Sequence, residues 1–347
     1  MAKETVVITG ATGFIGARVL QLLLKRDYEV RIVVRSDGKA QALRDNPHLQ
    51  GIERATFVVV PDLLSPGALD KAVAGADSMI HLASPIPLHG DIAPERQHDE
   101  LIVPAVNATL RALEAAKKSS SVKRVVITSS AVAIISASIL LPSEAPPSGR
   151  VVTGDDRVQE DQPPFPAAFA AYVASKVAAL NASDKFMKEQ KPAFDVVNVM
   201  PPYVIGPNLI AKTAAQLYEG TNAVFLALMT GRSDGSDPPE PGMAIHVDDV
   251  ARVHVDALDR NKIKARNGVE NCFLSQDIIW DDVPRIAAKK FPEAVKAGIL
   301  SPDGRKRSKP GLSNSSKVEK AFGMKLKPLD AMVTDLASQY LELIKGK

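Results

Sequence analysis

The run Thr5-Val-Val-Ile-Thr leads straight into Gly10-Ala-Thr-Gly13-Phe-Ile-Gly16, and apolar residues then recur at Phe14, Ile15, Val19, Leu20, Leu23 and Leu24. A short β-branched stretch reads as a buried strand, and the recurrence after it reads as an amphipathic helix. Strand, glycine turn and helix in that order form a receptor for a dinucleotide. Gly10 allows the tight turn, Gly13 lets backbone approach a pyrophosphate, and Gly16 lets helix and strand pack closely. The free N–H groups and the dipole of the helix face the phosphates. Thr12, Phe14 and Ile15 complete the expected cofactor-binding turn. The spacing is GxxGxxG, and glycines alone also fit a turn without a ligand. The flanking strand and helix, placed at the start of the chain, favour the binding reading.

A chain of 347 residues suits one large α/β domain or a domain with a smaller lobe. With 45% apolar and 24% charged residues it has the composition of a soluble globule. The net charge of +3 is spread without a basic block, which argues against nucleic acid and membrane surfaces as partners. The single cysteine, Cys272, excludes an internal disulfide and fits a reducing compartment. Its neighbours, Asn271-Cys-Phe-Leu, read as a strand and make it a buried structural thiol. The first strand starts by about residue 5, so no signal peptide is expected, and no apolar run reaches membrane-spanning length. Cytoplasm is the expected location.

Strand-like and helix-like segments alternate through residue 200. Strands are expected near 5–9, 29–34, 56–60, 77–82, 122–128 and 195–200, and helices near 14–26, 38–45, 66–74, 94–118 and 170–188. Such alternation implies a doubly wound parallel sheet with helices on both faces. Pro104 should kink or split the 94–118 helix. Beyond residue 200 the rhythm changes, with a helix near 213–230, a Pro- and Gly-rich loop over 234–242, another helix from about 245 to 258, and amphipathic helices over 278–347. The expected division is a nucleotide-binding domain over 1–206, rejoined by 243–275, and a smaller, mainly helical substrate lobe from 207–242 and 276–347. The stretch 138–166 reads as a long excursion of functional kind.

Tyr172-Val-Ala-Ser-Lys176 stands at the start of the helix before the sixth strand. Residues i and i+4 share a helix face, so the Lys176 ammonium can lie beside the Tyr172 hydroxyl. A nearby positive charge lowers a phenol's pKa. Tyr172 would then give a proton to a carbonyl oxygen as hydride reaches its carbon. Thr128-Ser129-Ser130 ends the fifth strand, where Ser130 would steady the developing oxyanion. A tyrosine merely packed on a lysine stem is the bland alternative.

With the glycine turn, Ser130, Tyr172 and Lys176 in this order, the chain resembles the extended short-chain dehydrogenase/reductases, within the NAD-dependent epimerase/dehydratase superfamily. Family precedent selects Ser130, before Ala131, with Ser129 as the fallback. The resemblance implies a Rossmann-type fold and a lysine that also holds the nicotinamide ribose. His81-Leu-Ala-Ser-Pro85, Glu100 to Thr109, Val199 to Pro207 and Lys317 to Gly323 resemble the dihydroflavonol-4-reductase, cinnamoyl-CoA reductase and fungal aldehyde/ketone reductase group. The fungal reductases look nearest, through Val60-Pro-Asp-Leu63 and the Arg35…Lys39 pair. By that resemblance Asp62 and Leu63 flank the adenine, Ala83, Ser84 and Pro85 line the phosphate and ribose path with Thr128, and Pro201 and Val204 cover the nicotinamide amide.

At the end of the second strand NAD-binding chains place a carboxylate; here Arg35 stands there, with Lys39 one helical turn on. An Arg fork suits a 2′-phosphate, so NADP(H) is the expected cofactor despite Asp37 nearby. The site segment 207–245 has only Lys212 and Arg232 as basic residues. That favours a small, apolar carbonyl substrate over a CoA ester or diphosphate. Phe165, Pro166 and Phe169 precede Tyr172, and Tyr203, Leu209, Phe225 and Met229 are candidates for an opposite wall. His81 reads as a core histidine. In His246-Val-Asp248-Asp249 the carboxylates read as a helix cap and a dipole partner. His48, His89, His98 and His254 lack metal-ligand spacing, so no metal is expected. The function expected is an NADPH-dependent ketoreductase, with a place in fungal secondary metabolism, as a monomer or homodimer. A sugar-nucleotide epimerase or dehydratase and a non-catalytic NADP-sensing protein are the alternatives. The 42 residues from Ser130 to Tyr172 are more than in most relatives, so no relative's substrate transfers directly.

Overall fold

A computed structural model describes residues 3–84, 92–140, 151–165 and 167–346, apart from the side chains of 137 and 138. Pro85, His89 and Pro166 therefore lie outside the described residues, as does 141–150 of the expected excursion. In chain order the first elements are β1 (Thr5–Thr9), α1 (Phe14–Lys25), β2 (Glu29–Val34), α2 (Asp37–Arg44) and β3 (Thr56–Val59). There follow α3 (Asp70–Val73), β4 (Ser78–His81), α4 (Val103–Lys118), β5 (Arg124–Thr128), α5 (Ala137–Leu140), α6 (Ala168–Gln190) and β6 (Asp195–Met200). Next come β7 (Tyr203–Ile205), α7 (Asn222–Met229), β8 (Glu240–Pro241), β9 (Met243–His246), α8 (Val247–Asp256) and β10 (Val269–Phe273). The last are β11 (Gln276–Asp277), α9 (Asp282–Lys290), α10 (Pro292–Lys296), β12 (Ser308–Lys309), α11 (Ser316–Phe322) and α12 (Leu329–Lys345).

The chain forms two compact units. The first comprises 1–133, 157–200 and 251–272. Its seven-stranded sheet has the order β10-β6-β5-β4-β1-β2-β3, and the pairings among the first six strands are parallel. Strands buried on both faces explain the unbroken Val/Ile runs: Val7, Val125 and Val196 pack with Leu113 and Ala116 of α4. Each side chain of this size, fully buried, stabilises the fold by roughly 1.5–3 kcal/mol. The strand order reverses between β1 and β4, and the carboxyl ends there are where a doubly wound sheet offers a ligand crevice. At the opposite edge Arg124 is fully buried and donates to both carboxylate oxygens of Asp195, at 2.6 and 2.9 Å. Its remaining N–H groups reach the carbonyls of Ala257 and Ile263. The sheet is the Rossmann-type α/β architecture expected.

The second unit comprises 134–156, 201–250 and 273–347. Its core is Phe225, Leu226, Met229, Trp280, Met332 and Leu336 with their neighbours. A small sheet in the order β11-β9-β7 runs through it. β7 and β9 lie in this unit. There β9 pairs with β7 and β11, apart from the parallel sheet. The expected helix at 94–118 divides into a 3-10 turn at Pro94–Arg96, a π-helical turn at His98–Ile102 and α4, with Pro104 in the first turn of α4, where its missing N–H costs nothing. The helix expected over 213–230 likewise splits, into a 3-10 turn at Ala214–Tyr218 and α7.

Candidate active site

The glycines of the first turn do different jobs. Gly10 has a φ of +75°, and a Cβ there would stand 2.7 Å from the Ala83 amide nitrogen after β4. A Cβ on Gly16 would collide with the Gly10 carbonyl oxygen. Both bare positions are therefore demanded by the protein's own backbone. Gly13 is exposed, its Cβ would meet only the Gly10 oxygen at 3.3 Å, and it opens α1 with no side chain capping the helix. Uncapped N–H groups behind an exposed glycine form a cradle that a Cβ would fill, and a dinucleotide pyrophosphate fits it. Thr12, Phe14 and Ile15 are partly exposed around it.

At the end of β2, Arg35 and Lys39 are exposed and make no ion pair among the described residues. Ser36 caps α2 by accepting from the Lys39 amide. Asp37 lies in the first turn of α2, exposed like its neighbours. After β3, Asp62 accepts from the Leu64 amide at 2.9 Å and from the Ser65 hydroxyl at 2.6 Å. The Ser65 hydroxyl, then the Leu64 amide, hold its carboxyl below the usual range. Leu63 packs on the core beside it.

α6 brings Tyr172 and Lys176 to the carboxyl edge of the sheet. This helix is long and alanine-rich, which favours helix and lets its neighbours approach closely. The Tyr172 side chain hydrogen-bonds Ser130, just beyond β5. Burial, the larger effect, raises the Tyr172 pKa, and the Ser130 bond opposes it. The Lys176 ammonium stands 5.6 Å from the centre of the Tyr172 ring and donates to Ser84 Oγ at 2.8 Å. The lowering of Tyr172 expected from Lys176 does not appear: burial dominates, only Ser130 opposes it, and Tyr172 stays a protonated phenol. Burial pushes Lys176 itself down from 10.5 to about 8. The arrangement presents an acidic O–H, a hydroxyl and a cation around one point, which suits protonation of an oxygen at which charge develops.

The Thr128 hydroxyl bonds His254 Nε2 at 2.7 Å, within the first unit. Pro201 and Val204 belong to the second unit, where the Thr221 hydroxyl bonds the Val204 carbonyl. Phe165 is buried among Leu101, Ala170, Ala171 and Ala174, whereas Phe169 is 43% exposed with its ring 6.3 Å from that of Tyr172. Phe225 and Met229 are fully buried core residues of the second unit, Phe225 edge-on to Trp280, and form no wall. Asp248 and Asp249 stand in the first turn of α8, but Lys327 takes both, through its ammonium and its amide. Cys272 is buried in β10. Among the described residues, no group of three or more His, Cys, Asp or Glu is placed to hold a metal ion.

Sequence reasoning missed the surroundings of Lys176. His81, fully buried at the end of β4, shares a 2.9 Å hydrogen bond with the Thr9 hydroxyl, which also accepts from the Ala83 amide. Burial, then the charge of Lys176, lower its pKa from 6.5 to about 4, so the ring is neutral. Ser183 lies on the face of α6 that carries Lys176, a helical relation visible in the chain but unremarkable without the partner strands.

Fold, turn and side-chain cluster together define an NAD(P)-dependent oxidoreductase built on a Rossmann-type sheet. The chain belongs to the NAD-dependent epimerase/dehydratase family, whose model matches residues 6–271. It is 38% identical to ketoreductase CTB6 of Cercospora beticola, over 99% of this chain and 96% of that one. It is 30% identical to tetraketide alpha-pyrone reductase 1 of Arabidopsis thaliana, over 98% and 96%. Among solved structures, yeast methylglyoxal/isovaleraldehyde reductase Gre2 complexed with NADPH superimposes with a TM-score of 0.78 at 26% identity, covering 99% of each chain. No helix among the described residues is long and apolar enough to cross a membrane.

Proposed function

We propose that this chain is an NADPH-dependent reductase of a small, largely apolar ketone or aldehyde, with Tyr172 as the proton donor. The observation that carries the reading is the Lys176 ammonium held by Ser84 and standing 5.6 Å from the centre of the Tyr172 ring, with Ser130 as the tyrosine's other partner. An NADPH held by its pyrophosphate in the glycine turn would supply the hydride. Ser130 and Tyr172 hydrogen-bond the substrate oxygen and orient it. As the carbon–oxygen π bond becomes a C–H bond and an oxyanion, the Tyr172 proton passes to that oxygen, leaving an alcohol and a tyrosinate. Lys176 stabilises the tyrosinate electrostatically and, in this reading, holds the ribose hydroxyls. Reprotonation of Tyr172 from solvent closes the cycle, and the reverse sequence oxidises the alcohol.

Arg35 and Lys39 support the choice of NADPH, because two unpaired cations at the end of β2 suit a 2′-phosphate. The NADPH complex of the Gre2 structure points the same way. The names of the relatives, ketoreductase and tetraketide alpha-pyrone reductase, support a ketone substrate, and Phe169 is the apolar contact for it. Fungal secondary metabolism is the setting we propose.

The test is Tyr172→Phe in the full chain, assayed by NADPH consumption against a panel of ketones and aldehydes. Loss of turnover by about 10²–10⁴-fold with NADPH affinity unchanged fits a proton donor. Collapse of NADPH binding would assign Tyr172 a structural role. A wild-type protein silent on the panel but active on sugar nucleotides would replace the reductase by an epimerase or dehydratase.

A further inference from the structure

Lys176 has three N–H donors, and in a buried ammonium each needs an acceptor. Ser84 Oγ takes one, and the tyrosine and ribose side claims another in the function proposed above. Lys176 also lines a cavity of about 20 Å³ within the first unit, walled by His81, Ser84, Thr128, Ser183 and Asn198 among others. His81 Nε2 and Ser183 Oγ are buried there without a hydrogen-bond partner. Thr9 engages the other ring nitrogen, so Nε2 is the remaining polar atom of a neutral His81. Two orphaned polar atoms on one small cavity make it a site for a polar occupant, because a buried polar group left without a partner is destabilising. The size admits about one water molecule. Among the described residues no carboxylate lines the walls and an ammonium does, which disfavours a cation.

We propose that the cavity is a binding site for one internal water, which accepts from the Lys176 ammonium and bonds His81 Nε2 and Ser183 Oγ, keeping Lys176 charged beside Tyr172. His81 and Ser183 are then positioning residues: they touch neither substrate nor cofactor and act through Lys176. Among the described residues, the titratable groups around Lys176 are His81, from β4, and Tyr172, from its own helix. The inference rests on the reading of Tyr172 and Lys176 as the proton-donating pair.

The experiment pairs atomic-resolution crystal structures of the whole chain, wild type and Ser183→Val, with pH profiles of kcat. The wild type should hold a water within hydrogen-bonding distance of all three atoms, and the valine should displace it. The alkaline limb of kcat should then move down by about one pH unit, with kcat about tenfold lower and the KM for NADPH unchanged. Ser183→Ala, which leaves the cavity open, should keep the water and move the limb less; it serves also if the valine variant fails to fold. A wild-type cavity without a water overturns the proposal. So does a lower kcat with an unmoved limb, which is what mere steric damage produces. The crystallographic result does not depend on turnover. An intact water site in a chain whose Tyr172→Phe variant stays active would therefore sink the role of Tyr172 as proton donor and spare the site.

Discussion

The Lys176 ammonium donates to the Ser84 hydroxyl at 2.8 Å, tying α6 to the segment that leaves β4. This bond holds a buried positive charge at the carboxyl edge of the sheet, and the fold pays for it in stability. The lysine titrates at about 8 against an ordinary 10.5, a difference of about 3 kcal/mol. Between those values the unfolded chain binds more protons than the folded one, so stability rises with pH there; below about 8 the full penalty applies.

Lys176→Met should therefore raise the stability of the cofactor-free protein at about pH 7 by about 1–3 kcal/mol, once loss of the Ser84 bond is discounted. The gain should shrink toward about pH 10, while reductase activity is lost at both. Urea unfolding at the two pH values measures it. A variant less stable than wild type at neutral pH would mean that the Ser84 bond outweighs the burial of the charge.

Cofactor choice is tested at the end of β2. Arg35 is exposed and unpaired among the described residues, and a charge-assisted bond to phosphate is worth about 1.5–3 kcal/mol. Arg35→Asp should lower the NADPH-to-NADH preference, measured as a ratio of kcat/KM values, by about 10–100-fold. An unchanged ratio would remove Arg35 from the 2′-phosphate site.

The glycine turn and α6 were legible because they are local: periodicity of two or 3.6 and a three-glycine spacing survive without knowledge of partners. β1 and β2 fall where the residue pattern places them, and Tyr172 and Lys176 share a face by helix geometry alone. What was illegible depends on tertiary neighbours. Nothing around Arg124, in a strand of valines, announces that Asp195 and two distant carbonyls will surround it. Phe225 and Met229 look the same to the sequence whether they face a ligand or Trp280. The rise in the Tyr172 pKa likewise depends on burial, which an i, i+4 argument does not supply.

The two glycines at the start of α1 should separate binding from folding. Gly16→Ala drives a methyl into the Gly10 carbonyl and should cost about 1–3 kcal/mol of stability together with NADPH binding. Gly13→Ala meets only the Gly10 oxygen at 3.3 Å and should leave the melting temperature nearly unchanged. Its NADPH affinity should still fall about tenfold or more, because the added methyl occupies the place of the pyrophosphate. Calorimetry and NADPH titration of both variants check this. Equal loss of stability in the two would show that Gly13 is needed by the fold rather than by the cofactor.

His81 sets the acid side of stability. Its ring titrates at about 4 in the fold against 6.5 outside it, chiefly through burial and then through the charge of Lys176. Between those values the unfolded chain holds the extra proton, so the stability present above about 6.5 is lost as pH falls and levels off below about 4. The span corresponds to about 3 kcal/mol. Urea midpoints for the wild type and His81→Asn should therefore diverge: the wild type declines steeply between about pH 6.5 and 4, and the variant declines less by up to that amount. Parallel declines would mean that the loss comes from carboxylates such as Asp256, held low by its bonds to Arg26 and Lys262 against burial, and not from the buried imidazole.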